Sequence, residues 1–264
     1  MCIRGVSLIY RMKIESILVT GANRGIGLEM IRQFIKLDDA PKFIFATYRN
    51  PDTLQDLKDV KNSTTKSKVI LIKLDITSAE DIAVTKKIVE DTVGDRGLNL
   101  LINNAGVMKA EPFPCMTPEN LELHFKANCV APVMILQSLF PLLEKAVKVS
   151  SIPGCHVSKA AAINLTSRTG SIQRTGENNY TADLVVPGYK ISKAALHMAM
   201  RVIAASVREK SVLVVNMCPG WIKTEMGGEL EVDESMADMV KTFPKLSASH
   251  HGSFIDRFGK EYSF

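Results

Sequence analysis

Tyr189 and Lys193 form a pair whose residue types and spacing suggest proton transfer. They are four positions apart in a stretch with helical apolar spacing, so both side chains are expected on one face of a helix. A lysine ammonium favours the ionised form of a neighbouring phenol and lowers its pKa from the usual value of about 10. Such a phenol gives a proton more readily to an oxygen at neutral pH. The pair therefore predicts a proton donor, although an exposed tyrosine and lysine on an ordinary helix have the same spacing.

A glycine-rich segment, residues 20–27 with the sequence TGANRGIG, follows a short apolar run and precedes a helical pattern. Gly21 permits a tight turn, Gly25 lets the backbone approach a phosphate, and Gly27 lets helix and strand pack closely. The N–H groups and the positive dipole end of the following helix attract a pyrophosphate. The strand–turn–helix context favours a dinucleotide site over a glycine-rich turn that binds nothing.

The choice of dinucleotide depends on the end of the second predicted strand, where residues 46–49 read ATYR. A site for NAD usually has a carboxylate there to bind the ribose 2′-hydroxyl, and this segment has none. Arg24 and Arg49 offer two guanidinium groups that can bracket a 2′-phosphate with paired hydrogen bonds. The sequence therefore predicts NADP(H), the alternative being that both arginines are merely exposed charges.

Asn128 lies within a long predicted helix, four residues before Pro132. Proline has no N–H, so the Asn128 carbonyl lacks its normal helical donor. A free carbonyl at a kink can hold a water molecule, and that water could link to Lys193. A routine proline kink without this role is the alternative.

The apolar patterns predict strands that alternate with helices. The strands are expected over 17–19, 43–47, 69–74, 98–102, 161–165, 212–217 and 252–255. The helices are expected over 26–37, 51–60, 117–145 and 188–208, and one more begins after Ser78, where Asp81 suggests a capping box. Segments 148–160 and 223–250 are expected to be loops or lid elements. This alternation predicts an α/β fold, a Rossmann-like doubly wound parallel sheet with helices on both faces and ligands at the carboxyl ends of the strands.

Composition narrows the class of protein. The 264 residues fit one domain over 14–264 after an extension over 1–13, and the net charge of +5 is spread along the chain, which does not suggest a nucleic-acid partner. The five cysteines form no CxxC pair, which predicts free thiols, a cytoplasmic location and no metal site. The apolar run 129–143 contains Pro132, Gln137 and Pro141, which favours a buried helix over a membrane span.

Four motifs together resemble the short-chain dehydrogenase/reductase family, in the family's order over about residues 14–226. They are the TGxxxGxG turn, the NNAG element at 103–106, the YxxxK pair, and Pro219-Gly220 with Thr224. The wording of PGWIKTEMGG and YKISKAAL is similar to the C-factor and sniffer-type carbonyl reductases. The resemblance implies NADPH-dependent, reversible reduction of an aldehyde or ketone.

The resemblance also implies roles for particular residues. Tyr189 would protonate the substrate oxygen, Ser167 would orient it, and Lys193 and Asn128 would continue the proton relay. Ser150, Ser151 and Ser171 compete with Ser167 for the serine role, whereas the YxxxK-like copy over 155–159 has Cys155 in place of the phenol and is rejected. The cofactor-binding residues would be Gly21, Asn23, Arg24, Gly25, Ile26, Gly27, Arg49, Asp75, Ile76, Asn103, Ala105, Gly106, Tyr189, Lys193, Pro219, Gly220, Ile222 and Thr224.

Other readings remain open from the sequence. A low-turnover NADP(H)-binding signalling or redox-sensing protein would keep the glycine turn but need not keep Asn128, Ser167, Tyr189 and Lys193. The absence of an acid after the second strand argues against an NAD-linked alcohol dehydrogenase. Val107, Met108, Trp221 and Met226 could line an apolar substrate pocket or simply pack in the core. The segment 172–188 is expected to form a loop over the site. The expected partner is a small carbonyl compound, without a membrane partner, and a homodimer or homotetramer is possible.

Overall fold

The computed structural model describes residues 14–176, 186–224 and 227–264. Its centre is a parallel sheet of seven strands in the order β3-β2-β1-β4-β5-β6-β7. The strands are β1 Ser16–Val19, β2 Phe43–Tyr48, β3 Lys68–Lys73, β4 Leu100–Asn103, β5 Ala161–Leu165, β6 Leu213–Cys218 and β7 Phe254–Asp256. The strand order reverses between β1 and β4, which creates a crevice at the carboxyl ends of these strands.

In the described part of the chain, seven α-helices accompany the sheet. They are α1 Gly25–Lys36, α2 Gln55–Ser63, α3 Ala79–Val93, α4 Pro118–Phe125, α5 Ala131–Val149, α6 Pro187–Ser206 and α7 Val232–Thr242. Helices α1, α2 and α7 share one apolar core with one face of the sheet, and α3, α5 and α6 share a second core with the other face. Alternate residues of β1 enter the two cores, so the strands are buried on both sides. The predicted doubly wound α/β fold is thus confirmed.

The prediction that 223–250 contains only loops or lid elements is wrong. Helix α7 lies within this segment, and Met236, Met239 and Val240 are buried on its inner face. Beyond its end the Phe243 ring stacks on Phe34 of α1, with ring centroids 6.0 Å apart. The apolar residues of α7 have helical spacing in the sequence, but the acidic residues between them made the pattern hard to recognise.

The long helix predicted over 117–145 is interrupted. Helix α4 ends at Phe125, the chain is π-helical over Lys126–Val130, and α5 then begins. The Ala131 N–H donates to the Lys126 carbonyl, an i to i+5 bond, just before Pro132, which has no N–H to give. The expected proline kink is therefore realised as a π-helical turn.

Two predicted helix starts also differ in detail. Pro51–Thr53 is a short 3₁₀ turn, and α2 begins only after it. Ser78 caps α3 by accepting from the Asp81 N–H at 3.1 Å, but the Asp81 carboxylate accepts from the Asp75 N–H at 2.8 Å. The capping box is therefore not reciprocal, because this carboxylate holds the loop after β3 instead.

Within the described residues, one helical stretch, Pro118–Val149, is long and apolar enough to cross a membrane by length and composition. Its inner face packs in the core through Ile135, Leu139 and Leu143. The expectation of a buried helix over 129–143 agrees with this packing. Cys115, Cys129, Cys155 and Cys218 are free thiols, as expected.

Candidate active site

The glycine turn follows β1 at the carboxyl edge of the sheet. Gly21 and Gly25 have φ angles of 63° and 53°, the left-handed region that favours glycine. A Cβ atom on Gly27 would lie 2.3 Å from the Gly21 carbonyl oxygen and 2.6 Å from Asn104 Nδ2. The segment therefore depends on the absence of side chains at these positions.

Neighbouring strands hold the turn in place. The Gly21 N–H donates to Thr47 Oγ1 at 3.1 Å, and Asn104 Nδ2 donates to the Thr20 carbonyl at 2.7 Å. Thr20 Oγ1 accepts from the N–H groups of Asn104 and Ala105 at 2.9 and 3.0 Å. No role was predicted for Thr20, Thr47 or Asn104. Thr20 and Asn104 belong to the recognised motifs, and this position was the available signal.

The groups around the turn fit a ligand that carries phosphate. The side chain of Arg24, the N-cap residue of α1, makes no capping hydrogen bond, and the first turn of α1 has no acidic residue, so no carboxylate there competes with an anionic ligand. Arg24 immediately precedes α1, Arg49 immediately follows β2, and both residues are exposed. Asn23 Nδ2 donates to Thr53 Oγ1 at 2.7 Å, and Ile26 packs against the core.

Asp75 and Ile76 lie in the loop after β3. Asp75 Oδ1 accepts from the Thr77 N–H at 2.9 Å and from the Thr77 hydroxyl at 2.8 Å. The Thr77 N–H holds the pKa of Asp75 below its usual value against the effect of partial burial, and the Arg49 guanidinium acts in the same direction. Asp75 is thus an anchored carboxylate next to the exposed arginine.

The Asn103 side chain is engaged within the fold, and its expected contact with a cofactor stays a prediction. Its side chain is buried and donates from Nδ2 to Asn164 Oδ1 on β5 at 2.9 Å. The same group donates to the Pro132 carbonyl at 3.3 Å. A contact of Asn103 with a ligand at the edge would therefore use its backbone, since the side chain joins β4 to β5.

The segment after β6 reaches back to the glycine turn. The Pro219 carbonyl accepts from Ser235 Oγ on α7, and Gly220 has a φ angle of 98°. Ile222 is buried in the core, and Thr224 Cγ2 lies 3.8 Å from where a Gly25 Cβ would be. The Thr224 methyl group therefore lies close to the turn, whereas Ile222 is buried in the core.

Tyr189 and Lys193 lie on one face of α6. Lys193 is buried, its Nζ donates to the Leu165 carbonyl at 3.0 Å, and it lies 5.5 Å from the centroid of the Tyr189 ring. Burial lowers the pKa of Lys193 to about 8, against the opposing effects of the neighbouring Cys218 and Cys129 side chains. The amine is therefore close to the phenol ring and titrates near neutral pH.

The Asn128 side chain lies at the same cluster. Its Oδ1 accepts from the Val107 N–H at 2.8 Å, and its Nδ2 donates to the Val107 carbonyl at 2.9 Å and to Ser192 Oγ at 3.0 Å. A Cβ on Gly106 would lie 2.9 Å from Asn128 Oδ1 and 3.9 Å from Lys193 Nζ. The π-helical turn, the NNAG segment and α6 therefore converge. Ser192 was not predicted, although it lies inside the YxxxK motif.

Ser167 follows β5 and begins a short turn, Arg168–Gly170. Its Oγ accepts from the Thr169 N–H at 3.2 Å and from the Thr169 hydroxyl at 2.9 Å. A Cβ on Gly170 would lie 2.7 Å from Lys193 Cβ, so the turn packs directly on α6. Ser167 is two residues beyond the Leu165 carbonyl that accepts from Lys193.

The competing serines lie elsewhere. Ser171 Oγ donates to the Ser263 carbonyl at the end of the chain. Ser150 and Ser151 precede β5, at the opposite edge of the sheet from the glycine turn. The rejected YxxxK-like copy is at that edge too, where Lys159 Nζ donates to the Gly154 carbonyl at 3.1 Å.

His124 is a further site residue that the sequence analysis missed. It is fully buried on α4, with Nδ1 at 2.7 Å from the Asn120 carbonyl and Nε2 accepting from the Lys109 N–H at 3.0 Å. Its ring meets the Tyr189 ring edge-on, with centroids 6.5 Å apart. His124 therefore helps to fix the tyrosine ring.

The predicted pocket residues are only partly placed. Val107, Met108 and Trp221 are partly or well exposed near the site. Met226 and residues 177–185 of the expected loop lie outside the described residues. The pocket lining thus stays a prediction.

The chain is similar to known proteins over most of its length. A family model described as short chain dehydrogenase matches residues 15–235. The carbonyl reductase Sniffer of D. melanogaster has a TM-score of 0.87 and 30% identity, over 95% of this chain and 100% of that one. An NADPH-bound carbonyl reductase from chicken fatty liver has a TM-score of 0.87 and 35% identity, over 96% of this chain and 100% of that one. C-signal of Myxococcus xanthus is 28% identical over 171 residues, 62% of this chain and 91% of C-signal.

Proposed function

The chain belongs to the short-chain dehydrogenase family of oxidoreductases, and on this premise we propose that it reduces aldehydes or ketones with NADPH, reversibly. The observation that carries the proposal is the buried Lys193 amine beside the Tyr189 ring, at the sheet edge that also holds the glycine turn. A carbonyl oxygen that receives hydride needs a proton, and this pair can give one. The carbonyl reductases of similar structure support the same reaction.

The proposed cofactor site uses groups that the fold brings together at one edge. The N–H groups at the start of α1 would bind the pyrophosphate, and Arg24 and Arg49 would bind the 2′-phosphate. Thr47, at the end of β2 where an NAD site has its acid, is already engaged by the Gly21 N–H. When bound, the reduced nicotinamide supplies the hydride.

The proposed proton path begins at Tyr189. Lys193 has three N–H donors when protonated, and the Leu165 carbonyl takes one of them. The others are left to favour tyrosinate and to pass a proton onward. Ser167 would orient the substrate oxygen, and Asn128 would hold the Val107 segment and Ser192 while its carbonyl carries the relay water.

A Tyr189→Phe variant tests the reaction. We expect kcat for NADPH-dependent reduction of a panel of aldehydes and ketones to fall by about 10²–10⁴-fold, since the general acid is removed. The NADPH Kd, measured by fluorescence, should change less than about threefold because the glycine turn is untouched. Tyr48→Phe, at the end of β2, is the matched control. Undiminished turnover in Tyr189→Phe would refute the mechanism, and NADPH binding without turnover in the wild type would favour the signalling or redox-sensing alternative.

Paired Arg24→Ala and Arg49→Ala substitutions test the cofactor preference. Each lost charge-assisted bond weakens binding by about 1.5–3 kcal/mol, so we expect kcat/KM for NADPH to fall at least about tenfold while that for NADH stays within about threefold. Arg32→Ala on the same helix, where Arg32 contacts Glu29, is the control. Equal kcat/KM values for NADPH and NADH in the wild type would remove the NADP(H) assignment.

A further inference from the structure

We propose that His197 is a positioning residue that holds the end of β5 against α6, through Thr166, and so keeps Leu165 and Ser167 in place for Lys193. Neither histidine nor threonine here belongs to the motifs that identified the chain. The catalytic consequence rests on the proposed function, whereas the coupling itself does not.

The central observation is a short buried hydrogen bond. His197 Nε2 lies 2.6 Å from Thr166 Oγ1, and the two residues are 2% and 4% exposed. Thr166 lies between Leu165 and Ser167 in sequence, directly after β5. A hydrogen bond this short between two buried polar groups fixes the positions of both side chains.

This bond is the second of two links between the same elements. Lys193 Nζ donates to the Leu165 carbonyl at 3.0 Å, and His197, one helical turn later, contacts Thr166. Two contacts on successive turns restrain both the rotation and the sliding of α6 relative to β5. Ser167, the residue after Thr166, has an extended backbone conformation, with φ −149° and ψ 146°.

The C-terminal residues hold the imidazole from its other side. Its ring centroid lies 4.2 Å from that of Phe254 and 5.7 Å from that of Phe264, which meets it edge-on. The Phe264 carbonyl accepts from the Gln173 N–H at 3.1 Å, beyond the Ser167 turn. The ring therefore cannot turn away from Thr166 without disturbing this aromatic cluster.

His197 acts as a neutral group. Burial lowers its pKa to about 3, the Lys193 charge adds to this, and the Gly170 backbone opposes it. Among the described residues, Nδ1 makes no hydrogen bond of ordinary geometry, and the Gly170 backbone acts on the ring only as a weaker contact. The ring is therefore not an acid or base at neutral pH, which leaves positioning as the role that its contacts support.

Matched substitutions separate positioning from general stability. Thr166→Val removes the hydroxyl at constant shape, and His197→Phe keeps a ring without nitrogen. We expect each to lower kcat about tenfold while the NADPH Kd changes less than about twofold, because misplacement acts on the reacting groups. Thr166→Ser should recover most of the kcat, and the double variant should be no worse than the single ones. The control is Thr85→Val, a buried threonine on α3 whose hydroxyl has no partner among the described residues.

A readout without turnover tests the coupling itself. The imidazole ¹⁵N chemical shifts of His197 should report one neutral tautomer in the wild type and should change in Thr166→Val. The proposal is overturned if those shifts stay the same, or if kcat per folded molecule is unchanged while only the melting temperature falls. If the wild type binds NADPH but reduces no carbonyl, the proposed function fails, and the ¹⁵N shifts alone decide the role of His197.

Discussion

The glycine turn and the Lys193 cluster lie at the same edge of one sheet but are built by opposite means. The turn is a continuous segment of eight residues that works by exposing backbone N–H groups and excluding side chains. The cluster brings side chains from the π-helical turn and α6, together with a backbone carbonyl at the end of β5, into a buried site. Steric contact limits which residues the glycine turn can contain, whereas the free energy of burying polar groups limits which residues the Lys193 cluster can contain.

This difference has a consequence for stability. Before its ligand binds, a glycine turn lowers the stability of the fold little, because water hydrates its exposed N–H groups. A buried amine, by contrast, is destabilised whenever it is charged, and the fold must offset that free energy elsewhere. Substitutions in the two regions should therefore have effects of different kinds.

Among the substitutions that compare the two regions, the largest expected effect is in the turn. Gly27→Ala would place a Cβ 2.3 Å from the Gly21 carbonyl oxygen, so the backbone must move. We expect the NADPH Kd to rise at least about 100-fold, equivalent to about 2.7 kcal/mol. Fluorescence titration measures this, and Gly154→Ala is the control: a Cβ there meets open space, so it adds only the backbone strain of alanine at a φ of 62°, away from the turn. A Kd within a few-fold of the wild type would show that the turn tolerates side chains.

A smaller effect is expected from the corresponding substitution in the cluster. Gly170→Ala would place a Cβ 2.7 Å from Lys193 Cβ and shift the amine from its place. We expect kcat to fall by about 10- to 100-fold with the NADPH Kd nearly unchanged, since a displacement near 1 Å is enough for this. Steady-state kinetics measures it beside the control Gly94→Ala, which adds backbone strain at a φ of 58° without a steric clash and far from Lys193. Loss of NADPH affinity instead would mean that the two regions are not separable.

The smallest effect is a gain of stability. The folded-state pKa of Lys193 is about 8 and the ordinary value is 10.5, so below pH 8 the fold bears the full effect of burying the charge. As pH rises from about 8 to 10.5 the folded state releases its proton first, and this destabilisation disappears. Lys193→Met should therefore raise the free energy of unfolding at pH 7 by about 2 kcal/mol, given 1.36 kcal/mol per pKa unit less the lost Leu165 bond.

Urea unfolding at pH 7 and at pH 10 measures this gain, which should be smaller at pH 10. Lys58→Met on the exposed side of α2 is the control, with an expected change within about 0.5 kcal/mol. A Lys193→Met protein that is less stable than the wild type at pH 7 would show that the amine stabilises the fold.

Local sequence patterns predicted much of the fold. The strand–turn–helix order, the parallel sheet and the shared face of Tyr189 and Lys193 follow from short-range periodicity, which the folded chain preserves. Helix α7 was missed because acidic residues interrupt its apolar pattern. The π-helical turn was missed because proline predicts a disturbance without saying which form it takes.

The sequence by itself determined the family, the sheet and which residue types were available for chemistry, because each of these is encoded within a few neighbouring positions. Only the tertiary structure decided that the Asn103 side chain turns inward to Asn164, that His124 meets the Tyr189 ring, and that His197 holds Thr166. The two residues of each pair lie dozens of positions apart in the sequence and meet only when the chain packs. Their pairing depends on which polar groups become buried together and must then satisfy one another, and no local pattern contains that information.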